Sequence, residues 1–254
     1  MRYPPSETKG TNSMPNLTLL TFAPLFEQHL ALLKNPTCQT CNVDPELKHP
    51  LLPWIAGSHF HKTEERIIFV GKPHRGIPGK IRPSGIIDPT EKIFGPEGLW
   101  NVNWPYWSYT REIAENLYEI DAAESICLSN LIKCTNTYDS DATTREMAVG
   151  CIKNLGVIWK EIETIKARTV VFYTYSLYPE LLQEIPCALP GSVREITPYE
   201  HSVPCRNKML GWWERTCDTA WCNNLRLLVV GHPERMGRAE YVQILSNWLR
   251  KRSG

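Results

Sequence analysis

Cysteines, one asparagine and one histidine are the residues of this chain whose types and spacing could do chemistry. Cys38 and Cys41 form a C-x2-C pair, Cys134 closes an apolar run, and Cys151 follows with sixteen residues between. Thiolates are soft donors suited to zinc or to an iron-sulfur cluster, and a C-x2-C turn sets two sulfurs on one side of a metal. Spacing alone does not separate the two metals. It also fits ordinary packing, with Cys151 on the apolar face of a helix and Cys134 at a buried strand end. Cys127, Cys187, Cys205, Cys217 and Cys222 read as buried or free thiols rather than a second site. Asn130, at the end of an apolar run, offers a donor and an acceptor together, enough to read a ligand's polar edge or to cap the strand exit. His232, in a His-Pro turn, can donate a hydrogen bond while neutral, or can serve the turn alone.

These residues need a frame. Four short runs rich in branched residues, Ile67 to Val70, Ile126 to Leu131, Thr169 to Tyr173 and Leu225 to Val230, have the length and composition of buried strands. Helical periodicity lies between them: Ile113, Leu117 and Ile120; then Met147, Cys151, Leu155, Ile158, Ile162 and Ile165; finally Tyr241, Ile244, Leu245, Trp248 and Leu249. A further helix is expected around Phe26, Leu30 and Leu33, ended by Asn35-Pro36. Strands alternating with helices imply an α/β fold, a three-layer α/β/α sandwich on a central four-stranded parallel sheet. The stretches 42–64, 74–103 and 186–222 are rich in Pro, Gly, Trp and Cys without a period and read as long loops, the last as an insertion. Residues 1–17 read as a loose start to a single domain spanning 1–254.

At 254 residues and 42% hydrophobic content the chain can bury one sizeable core. Its net charge of +1 gives no overall signature of a polyanion partner, so such a partner has to be argued from local patches: Lys72, Arg75, Lys80 and Arg82 in one stretch, Arg235 and Arg238 in another. No run approaches the roughly 20 apolar residues of a membrane helix, and Met1 to Gly10 are unlike a secretory leader, so a soluble, cytoplasmic monomer is expected. In that compartment cysteines serve metal binding, catalysis or burial rather than disulfides.

The segment Asn130-Leu-Ile-Lys-Cys134, followed by Arg145, Glu146 and Cys151, resembles the N-V-V-K-C … P … E … C block of iron-sulfur uracil-DNA glycosylases. Cys38 and Cys41 match the family's upstream pair, Gly71-Lys-Pro-His74 follows the first strand, and Pro105-Tyr106 resembles the family's Pro-Phe. His232-Pro-Glu-Arg-Met-Gly-Arg238, after the fourth strand, is similar to the family's H-P-S loop. The matches keep the family's order across roughly residues 38 to 250, which is more specific than any one of them.

The resemblance implies a DNA glycosylase that turns a base out of the helix and hydrolyses its N-glycosidic bond, leaving an abasic site. It implies a 4Fe-4S cluster on Cys38, Cys41, Cys134 and Cys151, and catalytic roles for His232, on the departing base, and Asn130, on its edge. Gly71, Lys72, Pro73, His74 and Tyr106 would line the base pocket, with Tyr106 stacking on the base. Arg235 and Met236 would hold the base out, and Lys72, Lys80 and Arg238 would bind phosphates.

The departures bear on the substrate. Lys72 stands where uracil-specific families carry an acidic or amide residue, leaving Asp88 or Glu97 as candidate carboxylates for water activation, or none. His74 and Arg75 occupy the neighbourhood of a tyrosine that excludes C5 substituents, and Trp212, Trp213 and Trp221 enrich the 186–222 stretch. A uracil or a C5-modified pyrimidine is therefore expected, including hypermodified cytosine of phage DNA, with roles in DNA repair or antiviral defence. The alternatives are ordinary uracil excision, a DNA-binding member without catalysis, and cluster-based redox sensing.

Overall fold

The computed structural model describes residues 55–72, 99–118, 121–133, 143–175, 179–195, 201–234 and 236–251. Its centre is a mixed sheet of eight strands: β1 (Ile55–Ala56), β2 (Ile67–Gly71), β3 (Cys127–Asn130), β4 (Thr169–Phe172), β5 (Arg194–Glu195), β6 (His201–Cys205), β7 (Lys208–Cys217) and β8 (Leu225–Val230). The four branched runs form β2, β3, β4 and β8, and these lie side by side, parallel, in the order β3-β2-β4-β8. Their residues are buried on both sides, as strands of a covered parallel sheet must be.

Alternation divides the core in two. Ile68, Val70, Cys127, Val170, Phe172, Leu227 and Val229 point to one face, where they meet Met147, Ile152, Ile158 and Ile162. Ile67, Phe69, Leu128, Val171, Tyr173, Leu228 and Val230 point to the other, against Trp107, Ile113, Tyr241 and Leu245. The helices involved are α1 (Pro105–Leu117), α2 (Arg145–Ala148), α3 (Val157–Ile165), α4 (Pro179–Leu182) and α5 (Arg238–Arg250). Helices thus cover both faces, α1 and α5 on one, α2 and α3 on the other.

Two expectations are corrected. Among the described residues the sheet has eight strands, not four: β1 pairs antiparallel with β3, and an antiparallel wing of β7, β5 and β6 continues the sheet beyond β8. That wing arises from the 186–222 stretch, which lacked a period because Pro204 and Gly211 fall within its strands and only part of β7 is fully buried. The pattern from Met147 to Ile165 is not one helix either. A π-helical turn, Val149–Asn154, follows α2, and Gly156, at φ 60°, takes the left-handed conformation that separates it from α3. Residues 1–17, the Phe26–Leu33 pattern and Ile120 lie outside the described residues. Among the described residues no helix is long and apolar enough to cross a membrane.

Candidate active site at the carboxyl edge of the parallel strands

In open α/β sheets ligands gather beyond the carboxyl ends of the strands, where loops from several strands meet. Here β2 ends at Gly71 and β3 at Asn130, and the two residues are direct cross-strand partners. The ladder continues past them, with the Leu131 N–H donating to the Gly71 carbonyl at 2.9 Å, which fixes the backbone from which the buried Asn130 side chain projects. Helix α1 brings Tyr106 over the same spot. Proline at the first position of α1 needs no hydrogen-bond donor there, so the helix starts just before the tyrosine. A Cβ placed on Gly71 would lie 2.8 Å from Tyr106 Cε2 and 3.0 Å from Asn130 Oδ1. Only glycine lets the three residues come this close.

Tyr106 is half-buried. Its ring meets Tyr173 edge-on at 5.7 Å and Trp107 at 4.9 Å, and Tyr173 in turn stacks on Phe69 at 6.0 Å. The Thr110 hydroxyl donates to the Tyr173 hydroxyl at 3.1 Å, within the buried floor. Burial pushes the Tyr106 hydroxyl well above the usual phenol range, and Tyr173 and Cys127 add to the effect. Burial raises Tyr173 likewise, against a small opposing effect of Thr110. The groups gathered around Gly71 among the described residues are aromatic rings, hydroxyls and one carboxamide, with the partly exposed Lys72 following Gly71.

The loop after β8 carries His232. Its Nδ1 accepts from the Glu234 backbone N–H at 3.2 Å, which places the ring hydrogen of the neutral imidazole on Nε2. The loop is anchored from three sides. The Gly231 N–H donates to the Gly211 carbonyl of β7 at 3.0 Å, the Tyr241 hydroxyl of α5 donates to the Gly231 carbonyl at 2.7 Å, and the Tyr109 hydroxyl of α1 donates to the Met236 carbonyl at 2.9 Å. With β2 and β4 between them, β3 and β8 stand about 14 Å apart at the usual strand spacing, so Asn130 and His232 belong to opposite walls.

The chain matches no protein-family model and no curated protein, so the site is read from its own geometry.

Gly71, Asn130 and Tyr106 converge, and His232 lies along the same sheet edge. Lys72 follows Gly71 and is partly exposed. Met236 is half-buried and packs against the core on the α1/α5 face, so its side chain belongs to the loop's anchorage as it stands. Arg238 is exposed, but its Nε donates to Glu112 at 2.6 Å and its guanidinium lies 5.8 Å from the Tyr109 ring centre, which neutralises its charge locally. Pro73, His74, Lys80, Asp88, Glu97 and Arg235 lie outside the described residues, as do Cys38, Cys41 and Cys134. Cys151, the one described member of the proposed cluster set, is buried on the π-helical turn. It shares a core with Ile132, two residues before Cys134. Among the described residues no group of three or more His, Cys, Asp or Glu side chains is placed to hold a metal.

Sequence reasoning missed a buried charge cluster beneath the pocket. Lys133 Nζ donates to Glu161 Oε2 at 2.7 Å and to Ser129 Oγ at 2.8 Å, and Ser129 Oγ donates to the same carboxylate oxygen at 2.7 Å. Lys133 is 2% exposed and Glu161 fully buried. Burial raises the Glu161 carboxyl above its usual range, opposed by the charge of Lys133 and by the two hydrogen bonds. The signal available in the sequence was an acidic residue on the apolar stripe of α3, one turn after Ile158 and beside Ile162.

Proposed function

We propose that the protein is a DNA glycosylase that takes an extruded uracil or C5-modified pyrimidine into this pocket and hydrolyses its N-glycosidic bond, and that it is a divergent relative of the iron-sulfur uracil-DNA glycosylases. The observation that carries the reading is the convergence of Gly71, Asn130 and Tyr106 at the carboxyl edge. A flat base needs an aromatic neighbour and a carboxamide at its edge, roles that Tyr106 and Asn130, packed together over the bare backbone of Gly71, would fill. Breaking the glycosidic bond leaves cationic character on the sugar and negative charge on the departing base. A neutral imidazole with its hydrogen on Nε2 suits that anion, because it donates without having to be protonated first.

In this reading Asn130 selects the base, Tyr106 packs on it, and His232 stabilises it as it leaves. The departing base and the water that replaces it account for all atoms: the sugar keeps the hydroxyl and the base keeps the proton. Cys38, Cys41, Cys134 and Cys151 would hold a 4Fe-4S cluster whose contribution is to brace the loops around the pocket. The buried Cys151 on an irregular turn is compatible with such a ligand but fits packing equally, so no catalytic step is assigned to the cluster.

The second reading, a DNA-binding protein without catalysis, draws support from Lys72 at the position where the resemblance would put the group that activates water. Mass-spectrometric detection of free base separates the two. The glycosylase reading expects release of uracil or a C5-modified pyrimidine from single- or double-stranded oligonucleotides. Tight binding with no base released would favour the second.

A further inference from the structure

The amino edge of the same sheet has a different character. Arg66 and Arg168 immediately precede the neighbouring strands β2 and β4, and the Arg168 N–H donates to the Arg66 carbonyl at 3.2 Å. Lys166 caps α3 in the turn before β4, and His61 sits in the short helical turn Phe60–Lys62 before β2. His61, Lys166 and Arg168 are exposed and Arg66 is half-buried.

Several other cations on the described surface are paired with carboxylates. Arg145 pairs with Glu180, Lys153 with Glu184, Arg194 with Asp218, Arg215 with Glu195 and Arg238 with Glu112. Among the described residues no ion pair to a carboxylate is formed by Arg66, Lys166 or Arg168; Arg168 reaches only the Glu64 carbonyl, at 3.5 Å. They are close enough to repel one another. Burial and then Arg168 lower the Arg66 pKa, and burial followed by Arg66 and Lys166 lowers that of His61. Clustered, uncompensated positive charge disfavours the folded state and is relieved when a polyanion neutralises it. An aromatic ring accompanies the cluster: the Trp221 indole N–H donates to the Ala167 carbonyl, between Lys166 and Arg168, at 2.7 Å, and the ring is partly exposed.

We propose that this amino edge is a binding surface for single-stranded nucleic acid, with Arg66, Lys166 and Arg168 engaging backbone phosphates and Trp221 offering a face to an unpaired base. Cations beside an aromatic ring are the elements of strand binding that ignores sequence. The surface is separate from the pocket: Arg168 to Tyr173 spans five residues of extended chain, about 17 Å. It would therefore hold a different segment of the nucleic acid from the one whose base enters the pocket, and it does not depend on the pocket being catalytic.

The test uses the full chain and a fluorescent oligothymidylate, which contains no uracil or modified base, with affinity followed by anisotropy as salt rises. Neutralising three phosphate contacts predicts that Arg66→Gln/Lys166→Gln/Arg168→Gln flattens the log–log salt slope by about 2, so that between ~50 and ~200 mM salt its affinity falls roughly 20-fold less than that of the unsubstituted protein. Arg168→Gln alone, at an exposed position, should flatten the slope by about 0.7 and keeps the test valid if the triple variant folds poorly. Lys153→Gln, whose lysine pairs with Glu184 elsewhere, should leave the slope unchanged. Equal slopes for the unsubstituted protein and both patch variants would overturn the proposal. So would displacement of the strand by inorganic phosphate beyond that caused by chloride at matched ionic strength, since the patch would then be a site for a lone phosphate. Base release measured on the same variants reports on the pocket separately: a flattened slope without base release would leave the strand surface standing and sink the glycosylase, and base release with an unchanged slope would do the reverse.

Discussion

Ser129 and Asn130 are neighbours on β3, yet they serve opposite faces of the sheet. Ser129 points toward α3 and joins a lysine and a glutamate in a fully buried charge cluster. Asn130 points toward α1 and meets a tyrosine ring and the bare backbone of Gly71. The same strand end therefore carries ionic groups sealed in the core on one side and neutral groups facing a pocket on the other. Charges packed behind the strand hold its end in place, and in the proposed reading the other side keeps charge away from a neutral planar base.

The largest effect is expected behind the strand. Lys133→Met leaves Glu161 buried without its counter-charge and should cost about 3–5 kcal/mol, read from denaturant unfolding; replacing both partners with apolar residues should cost much less. The pH dependence has a definite sign. A carboxyl whose folded pKa is raised by burial contributes most below its ordinary value of 4.5 and loses that contribution as pH rises. Removing Lys133 raises Glu161 further, so the deficit of the variant should be large at neutral pH and shrink below about pH 4.5. A deficit independent of pH would show that Lys133 acts by packing alone.

On the pocket side, His232→Ala should slow base release by roughly 100- to 1000-fold, the usual effect of removing a donor to a developing anion, with little change in unfolding. Gly71→Ala would drive a methyl group to 2.8 Å from Tyr106 and should cost ~1–3 kcal/mol, while lowering affinity for the base more than for plain DNA. The smallest effect belongs to the floor. Thr110→Val removes the hydrogen bond to Tyr173 and should cost about 1 kcal/mol, visible in thermal unfolding. If Thr110→Val impaired base release as strongly as His232→Ala, the division between a supporting floor and a working wall would fail.

The parallel strands were legible because buried strands leave continuous branched runs, and Leu225–Val230 could hardly be anything else. The positions of Asn130 and His232 followed from those runs, since each closes or follows one. The antiparallel wing was not legible, because burial along β7 does not alternate between its two faces, and β5 and β6 are short and bear exposed residues. The break at Gly156 was hidden because apolar spacing continues on both sides of it, although the glycine itself was the cue. The Ser129–Lys133–Glu161 cluster was beyond pattern reading, since its lysine and glutamate are 28 positions apart and meet only when α3 packs on the sheet.

The central claim, that this edge excises a base, is tested most directly with oligonucleotides carrying uracil, hypoxanthine or C5-modified cytosine. They are incubated with the protein, treated with alkali, and resolved on a gel that detects breakage at abasic sites, with His232→Ala beside the unsubstituted chain. The account predicts breakage at uracil or a C5-modified pyrimidine that is nearly lost in the variant. Intact strands throughout, or breakage that His232→Ala leaves unchanged, would contradict it.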